Sequence, residues 1–225
     1  MEIEICCNSI ASAKAAKAGG ADRIELCDRL EVGGITPAET SILVCVEELG
    51  LRTHVLVRPR EGDFCYTDSE YEQIKEQVDM CRRCGVRAVV VGFLTREGCI
   101  DEKRTKEIVD WARPMEVTFH RAFDEIKESP EVALEKVVRA GCHRILTSGC
   151  AASAEEGMGL IKRLVELAGG RIAILAGAGI SPQNALKIAD GTGVTELHGS
   201  CKTRLADGSM VTDPEVVKQL VAKFK

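Results

Sequence analysis

The chain has 225 residues, 45% hydrophobic and 29% charged, with a net charge of −5, which suffices for one sizeable core. The acidic balance and the lack of clustered basic residues with interleaved aromatics argue against a nucleic-acid surface, and no stretch approaches the ~20 apolar residues of a membrane span. Eleven cysteines are expected to be reduced thiols of an intracellular, cytoplasmic protein.

A first strand is predicted at Glu2–Cys6, leaving no room for a signal peptide before it. A helix follows at Ser9–Ala18 and a second strand at Arg23–Leu26. Further strands are expected at Thr53–Val57, Ala88–Gly92, Met115–Phe119, Arg144–Thr147, Ile172–Ala176 and Thr195–His198. Amphipathic helices fall between them, among them Asp68–Cys84, Thr105–Ala112, Ala154–Ala168 and Pro182–Asp190, and a last one starts at Asp213-Pro214. Most helices stop at a glycine (Gly19, Gly50, Gly85, Gly141, Gly169, Gly193) that leads directly into the next strand. Six such returns predict parallel strands joined by crossover helices, and eight strands each followed by a helix predict a single (β/α)8 TIM barrel over residues 1–225 with an outer ring of helices. An open doubly wound sheet is the alternative.

The loops leaving strands two, three and five are long, 27–36, 58–67 and 120–129, whereas those entering strands are short. Barrels build their sites from the former. Alternation puts Glu4, Cys6 and Asn8 on one face, as it does Glu25 with Cys27, His54 with Arg58 and Arg60, Thr118 with His120, and Glu196 with His198 and Ser200. Charged groups are more tolerable toward the barrel axis, provided they find partners. Glu4 or Glu25 against Arg58, with His120 nearby, would meet that need, either as a site or as a structural ion pair closing the barrel. His54 is expected to be a satisfied core histidine and His143 a solvated one at the stability face.

Thr118-Phe119-His120-Arg121-Ala122-Phe123-Asp124 is the densest polar–aromatic cluster. His120 could act as acid or base, with Asp124 orienting it or binding Arg121 instead. Arg58 and Arg60 on a loop carrying Phe64 and Tyr66 suggest a lid over a small anion, or a loop packed down by its aromatics. Thr147-Ser148-Gly149, Gly177-Ala178-Gly179 and His198-Gly199-Ser200 end strands six to eight, where barrels often bind phosphate. Only Lys202 comes near a strand end, which disfavours a Schiff-base aldolase. Cys6 and Cys27 end neighbouring strands; if both point inward, two soft sulfurs converge, a pairing suited to Cu(I). Cys81-Arg82-Arg83-Cys84 sits at a helix carboxyl end, where the dipole disfavours thiolate, and is expected to be structural.

At these residues the sequence resembles the copper homeostasis protein CutC family. The matching segments are Glu4-Ile5-Cys6, Gly19-Gly20-Ala21-Asp22-Arg23-Ile24-Glu25-Leu26-Cys27, Gly33-Gly34-Ile35-Thr36-Pro37, Arg58-Pro59-Arg60 and Gly62-Asp63-Phe64. Gly92-Phe93-Leu94-Thr95, the 118–124 cluster and Arg144-Ile145-Leu146-Thr147-Ser148-Gly149 extend it. The resemblance implies a cytoplasmic, oligomeric barrel linked to copper handling, with Cys6 and Cys27 as the Cu(I) candidates. The chain departs from the family pattern at Glu61, Ala176, Ala178, Leu197, Gly199, Cys201 and Lys202. Two functions are therefore expected. One is a protein that holds Cu(I) through Cys6 and Cys27. The other is an enzyme for a small anionic or phosphorylated substrate, with Glu25 and His120 as acid/base and Arg58 and Arg60 as the clamp.

Overall fold

A computed structural model describes residues 1–204, 208 and 210–225. Its elements run β1 (Glu2–Cys7), α1 (Ile10–Ala18), β2 (Arg23–Leu26), α2 (Glu39–Leu43), β3 (Thr53–Leu56), α3 (Asp68–Arg83), β4 (Ala88–Val91), α4 (Glu102–Ala112) and β5 (Glu116–Phe119). They continue α5 (Pro130–Ala140), β6 (Arg144–Thr147), α6 (Met158–Ala168), β7 (Ala173–Ala176), α7 (Ala185–Thr192), β8 (Glu196–Gly199), β9 (Lys202–Arg204), β10 (Met210–Thr212) and α8 (Pro214–Val221). Strands β1 to β8 pair in sequence order, all parallel, and β1 pairs with β8 to close a TIM barrel. The open-sheet alternative is thereby excluded.

Local chemistry sets the element ends. Ser9 and Thr67 begin α1 and α3 with reciprocal capping boxes, Thr67 with Glu70. Asp213 caps α8 ahead of Pro214, as its sequence predicts. Gly141 closes α5 at φ 89, in the left-handed region where a β-carbon is costly. In the first return Gly20, at φ 82, takes the left-handed role expected of Gly19. The β9–β10 hairpin between β8 and α8 has no counterpart in the predicted elements.

The pleat sorts each strand's side chains into two layers. Ile3, Ile5 and Cys7 join Ile24, Leu26, Val55, Val89 and Val91 in the large apolar cluster, which also holds Tyr71, Ile74, Val78 and Cys81 from one stripe of α3. The alternate residues point to the barrel axis, where Cys6, Cys27, Leu56 and Val90 form a second, small cluster under Leu30. The β1–β2 register places Glu4 beside Arg23 and Cys6 beside Glu25, and β8 sets His198 beside Glu4.

Candidate functional site at the barrel mouth

The lower part of the barrel interior is an ion network. Arg23 lies 2.5 Å from Glu4, 2.6 Å from Glu196 and 2.9 Å from Glu2. Arg144 lies 3.1 Å from Glu196 and 2.9 Å from Glu116. His54 is buried with Nδ1 3.0 Å from Glu4 Oε2, but neither ring nitrogen makes a well-directed hydrogen bond among the described residues, so it is a core histidine that is not fully satisfied. Burial would raise Glu4, yet hydrogen bonds with His198 and His54 and the Arg23 charge hold its carboxyl well below the usual 4.5. Arg23 and Arg144 carry no role in the sequence reading. The signal was available in the alternation, which puts Arg23 on the face of Glu25 and Cys27.

Above this network opens a cavity of about 360 Å3, lined in part by Cys6, Glu25, Arg58, His120, His198 and Ser200. It lies at the carboxyl ends of the strands, the working end of such barrels. Cys6 Sγ stands 4.0 Å from Cys27 Sγ and 4.0 Å from Glu25 Oε1, all three residues buried. A ring nitrogen of His198 completes a group with Cys6 and Glu25 whose donor atoms lie within 4.8 Å of one another. His198 Nδ1 is 2.7 Å from Glu4 Oε1; an ionised carboxylate only accepts, so Nδ1 donates and the ring's orientation is fixed.

These groups perturb one another. Burial, with the Glu4 charge adding to it, pushes Glu25 from 4.5 up to about 7, against the pull of His198 and Arg23. Burial alone would lower His198, but the charge of Glu25 and its bond to Glu4 raise it above 6.5. The hydrogen bond with Cys27, then burial, lift the Cys6 thiol well above 9.0. His120 differs. Burial and the Arg58 charge push it from 6.5 down to about 3, so its imidazole is neutral across physiological pH.

Several residues grouped by the sequence reading stand elsewhere. Glu4 takes Arg23, not Arg58, as its cation, because β2 is its direct neighbour. Arg58 donates instead to the carbonyls of Val32 (3.1 Å), Gly34 (2.9 Å) and Gly62 (2.6 Å), tying two loops together, and stacks 4.9 Å from the Phe64 ring. Arg60 does not line the cavity. It pairs with Glu70 at 2.5 Å and Asp63 at 2.9 Å, over Tyr66, so it cannot join Arg58 in a clamp. Phe64 and Tyr66 are buried, and the loop is packed down, with Phe64 4.8 Å from His120.

Asp124 does not orient His120. Its carboxylate accepts from Thr147 Oγ1, from Ser148 N and Oγ (3.0 Å each), from Cys150 N (3.1 Å) and from Arg121 (2.8 Å), anchoring the turn after β6. Thr147, Ser148 and Gly149 are thereby committed to that turn and lie outside the cavity wall. Gly177 also lies off the wall; a Cβ there would come 2.5 Å from Leu146, so the glycine serves close packing. Gly179, His198 and Ser200 do line the cavity, together with Arg121 and Ala178. His120 is held by its own loop, Nδ1 accepting from Ala122 N at 3.1 Å, and Gly92 leaves room for its ring.

Away from the mouth, Lys202 lies in β9 and not on the cavity wall. Burial drives Cys81 up to about 12, in keeping with a structural pair with Cys84. His143 is exposed, with Nδ1 accepting from Val117 N at 3.1 Å.

The CutC family model matches residues 1–203. The chain belongs to the CutC family. Among curated CutC relatives, a family protein CutC of Chromobacterium violaceum is 46% identical over 204 residues, 91% of this chain and 82% of that protein. A copper homeostasis protein cutC homolog of Homo sapiens is 43% identical over 206 residues, 92% and 75% of the two chains. The crystal structure of a CutC from Streptococcus agalactiae superposes with a TM-score of 0.84 at 32% identity, covering 89% of this chain and 98% of that one. Within this CutC-family barrel the departures have local explanations: Glu61 pairs with Arg29 at 3.2 Å, and Ala178 stands at φ 76, in glycine's territory.

Proposed function

We propose that this CutC-family protein handles copper, holding Cu(I) at the barrel mouth between Cys6 and Cys27. The supporting observation is the pair of inward sulfurs 4.0 Å apart, a separation one ion can bridge with metal–sulfur bonds of about 2.3 Å. Soft thiolates select Cu(I) over harder cations. The printed name of the human relative, a copper homeostasis protein cutC homolog, agrees with this role. His198, oriented by Glu4, stands close enough to Cys6 to serve as a further donor. Because the Cys6 thiol is held protonated at neutral pH, binding must release a proton. Anaerobic competition against a Cu(I) chelator tests the reading. One ion per chain is expected, with affinity falling about a hundred-fold or more in Cys6→Ser/Cys27→Ser. Unchanged affinity in the double variant would refute it.

A second reading, an enzyme acting on a small anionic substrate, is favoured by Glu25, a carboxyl brought up to about 7 at the wall of a cavity. Its original acid/base partner suits it less, since an imidazole held near 3 has no proton to give at neutral pH as a cation. Metabolite extracts incubated with wild type and with Glu25→Gln, then compared by mass spectrometry, test it. A compound consumed only by the wild type supports the enzyme; identical profiles count against it.

A further inference from the structure

Of the two cysteines only Cys6 lines the cavity, Cys27 standing behind it, and the remaining wall carries polar groups with nothing to bind. Arg58 Nε and His120 Nε2 are buried without a hydrogen-bond partner among the described residues, on two residues that line the cavity. The tautomer of His120 follows from its loop: Nδ1 accepts from Ala122 N, so in the neutral ring the proton sits on Nε2. Two unpaired N–H donors thus belong to residues of one cavity wall, each nitrogen itself covered by neighbouring atoms. A buried donor left unpaired is costly, and a guest oxygen accepting from both would relieve it.

A different stretch of wall has the same shortage of acceptors. Ala178 and Gly179 both stand in the left-handed region, at φ 76 and 78. Among the described residues, the N–H groups of Ala178, Gly179 and Ile180 have no hydrogen-bond partner. Arg121 lines the same cavity and is half-exposed, with only its Nε and Nη2 engaged, by Asp124 and Ser148. Successive free backbone N–H groups beside a guanidinium form an anion cradle. Three N–H groups and a cation offer more donors than the two oxygens of a carboxylate use, and they match the three terminal oxygens of a phosphate.

We propose that the cavity binds a small phosphate monoester carrying a carbonyl or hydroxyl oxygen, its phosphate on the Ala178–Ile180 loop and Arg121 and its oxygen on His120 and Arg58. The volume of about 360 Å3 restricts the guest to a short compound, at the low end of ligand pockets. Naming a phosphate monoester deepens the anionic-substrate reading, and binding without turnover would separate the two; the site does not depend on the sulfur pair, so the copper reading fails separately.

Metal-free protein titrated with inorganic phosphate and with dihydroxyacetone phosphate, followed by calorimetry, tests the assignment, with acetate and lactate as carboxylate controls. Both phosphates should bind saturably, and the carboxylates about ten-fold more weakly or worse. Arg121→Ala removes the cation and Ser200→Asp places a negative charge on the same wall. Each should weaken both phosphates about ten-fold. His120→Gln should weaken dihydroxyacetone phosphate far more than inorganic phosphate. Arg121 and Ser200 lie at the rim, so their variants keep the test decisive even if the buried His120 variant fails to fold. Absence of saturable phosphate binding, carboxylates binding as well as phosphates, or wild-type affinity in both rim variants would overturn the proposal.

Discussion

The lower and upper halves of the barrel interior hold similar residues in opposite conditions. Below, Arg23 and Arg144 face Glu2, Glu4, Glu116 and Glu196 at 3.1 Å or less, so the charges there are paired, although Arg23 Nη1 and both ring nitrogens of His54 make no well-directed hydrogen bond among the described residues. Above, Glu25 Oε2, Arg58 Nε and His120 Nε2 are equally buried and have no partner among the described residues. Charges that satisfy one another close a barrel and ask for nothing further. Groups that remain open are stable only because the rest of the fold holds them, and a ligand is the natural source of their missing contacts. The contrast separates structural ion pairs from candidate site residues in a way that residue type cannot.

The largest test of that contrast is Arg23→Ala. It would leave buried Glu4 with only the two histidines and Glu196 with Arg144 alone, and urea unfolding should show a loss of about 3 kcal/mol. A loss below about 1 kcal/mol would mean that the lower network is not what closes the barrel.

Glu25→Gln should act the other way, and only at high pH. The folded carboxyl titrates near 7, above its ordinary 4.5. Its stability contribution is therefore complete below the unfolded value and is lost as pH rises through the folded one. The variant should match wild type near pH 5 and exceed it by on the order of 2 kcal/mol near pH 8 in unfolding titrations. Equal stability at both ends would remove the strain assigned to the mouth. His120, lowered from 6.5 to about 3, has the opposite sign: it supports the fold above 6.5 and withdraws that support as pH falls toward 3.

Smaller effects distinguish the two arginines of the loop after β3. Arg58→Ala removes a buried guanidinium from three carbonyls and should cost about 2 kcal/mol. Arg60→Ala, in a partly exposed cluster, should cost less than about 1 kcal/mol. The smallest is Ala178→Gly. Relief of the left-handed backbone at φ 76, less the entropy glycine adds to the unfolded chain, leaves a gain of about 0.5 kcal/mol in thermal unfolding.

The barrel was legible because its signals are local and repeated: a glycine past a helix with an apolar run after it, six times over, and eight strand-like runs in all. Which residues share a face was legible from period-two alternation; which face points inward was not, and the structure turns Cys6 and Cys27 toward the axis. Nor were the pairings. Which carboxylate meets Arg23, and that Arg58 turns to loop carbonyls, depend on register between strands and on loop paths. Asp124 shows the limit best. Four residues from His120, it leaves that ring alone; it takes Arg121, as one of the two sequence alternatives had it, and spends its remaining acceptor capacity on a turn more than twenty residues ahead. The β9–β10 hairpin escaped for a related reason, being a short antiparallel pair inside a loop with no helix to announce it.

The account rests most heavily on the sulfur pair at the mouth. X-ray absorption at the copper edge, on protein loaded anaerobically with one Cu(I), reads that contact directly. Two sulfur neighbours are expected in the wild type and one in Cys27→Ser. A first shell of nitrogen and oxygen alone, or an unchanged sulfur count in the variant, would contradict it.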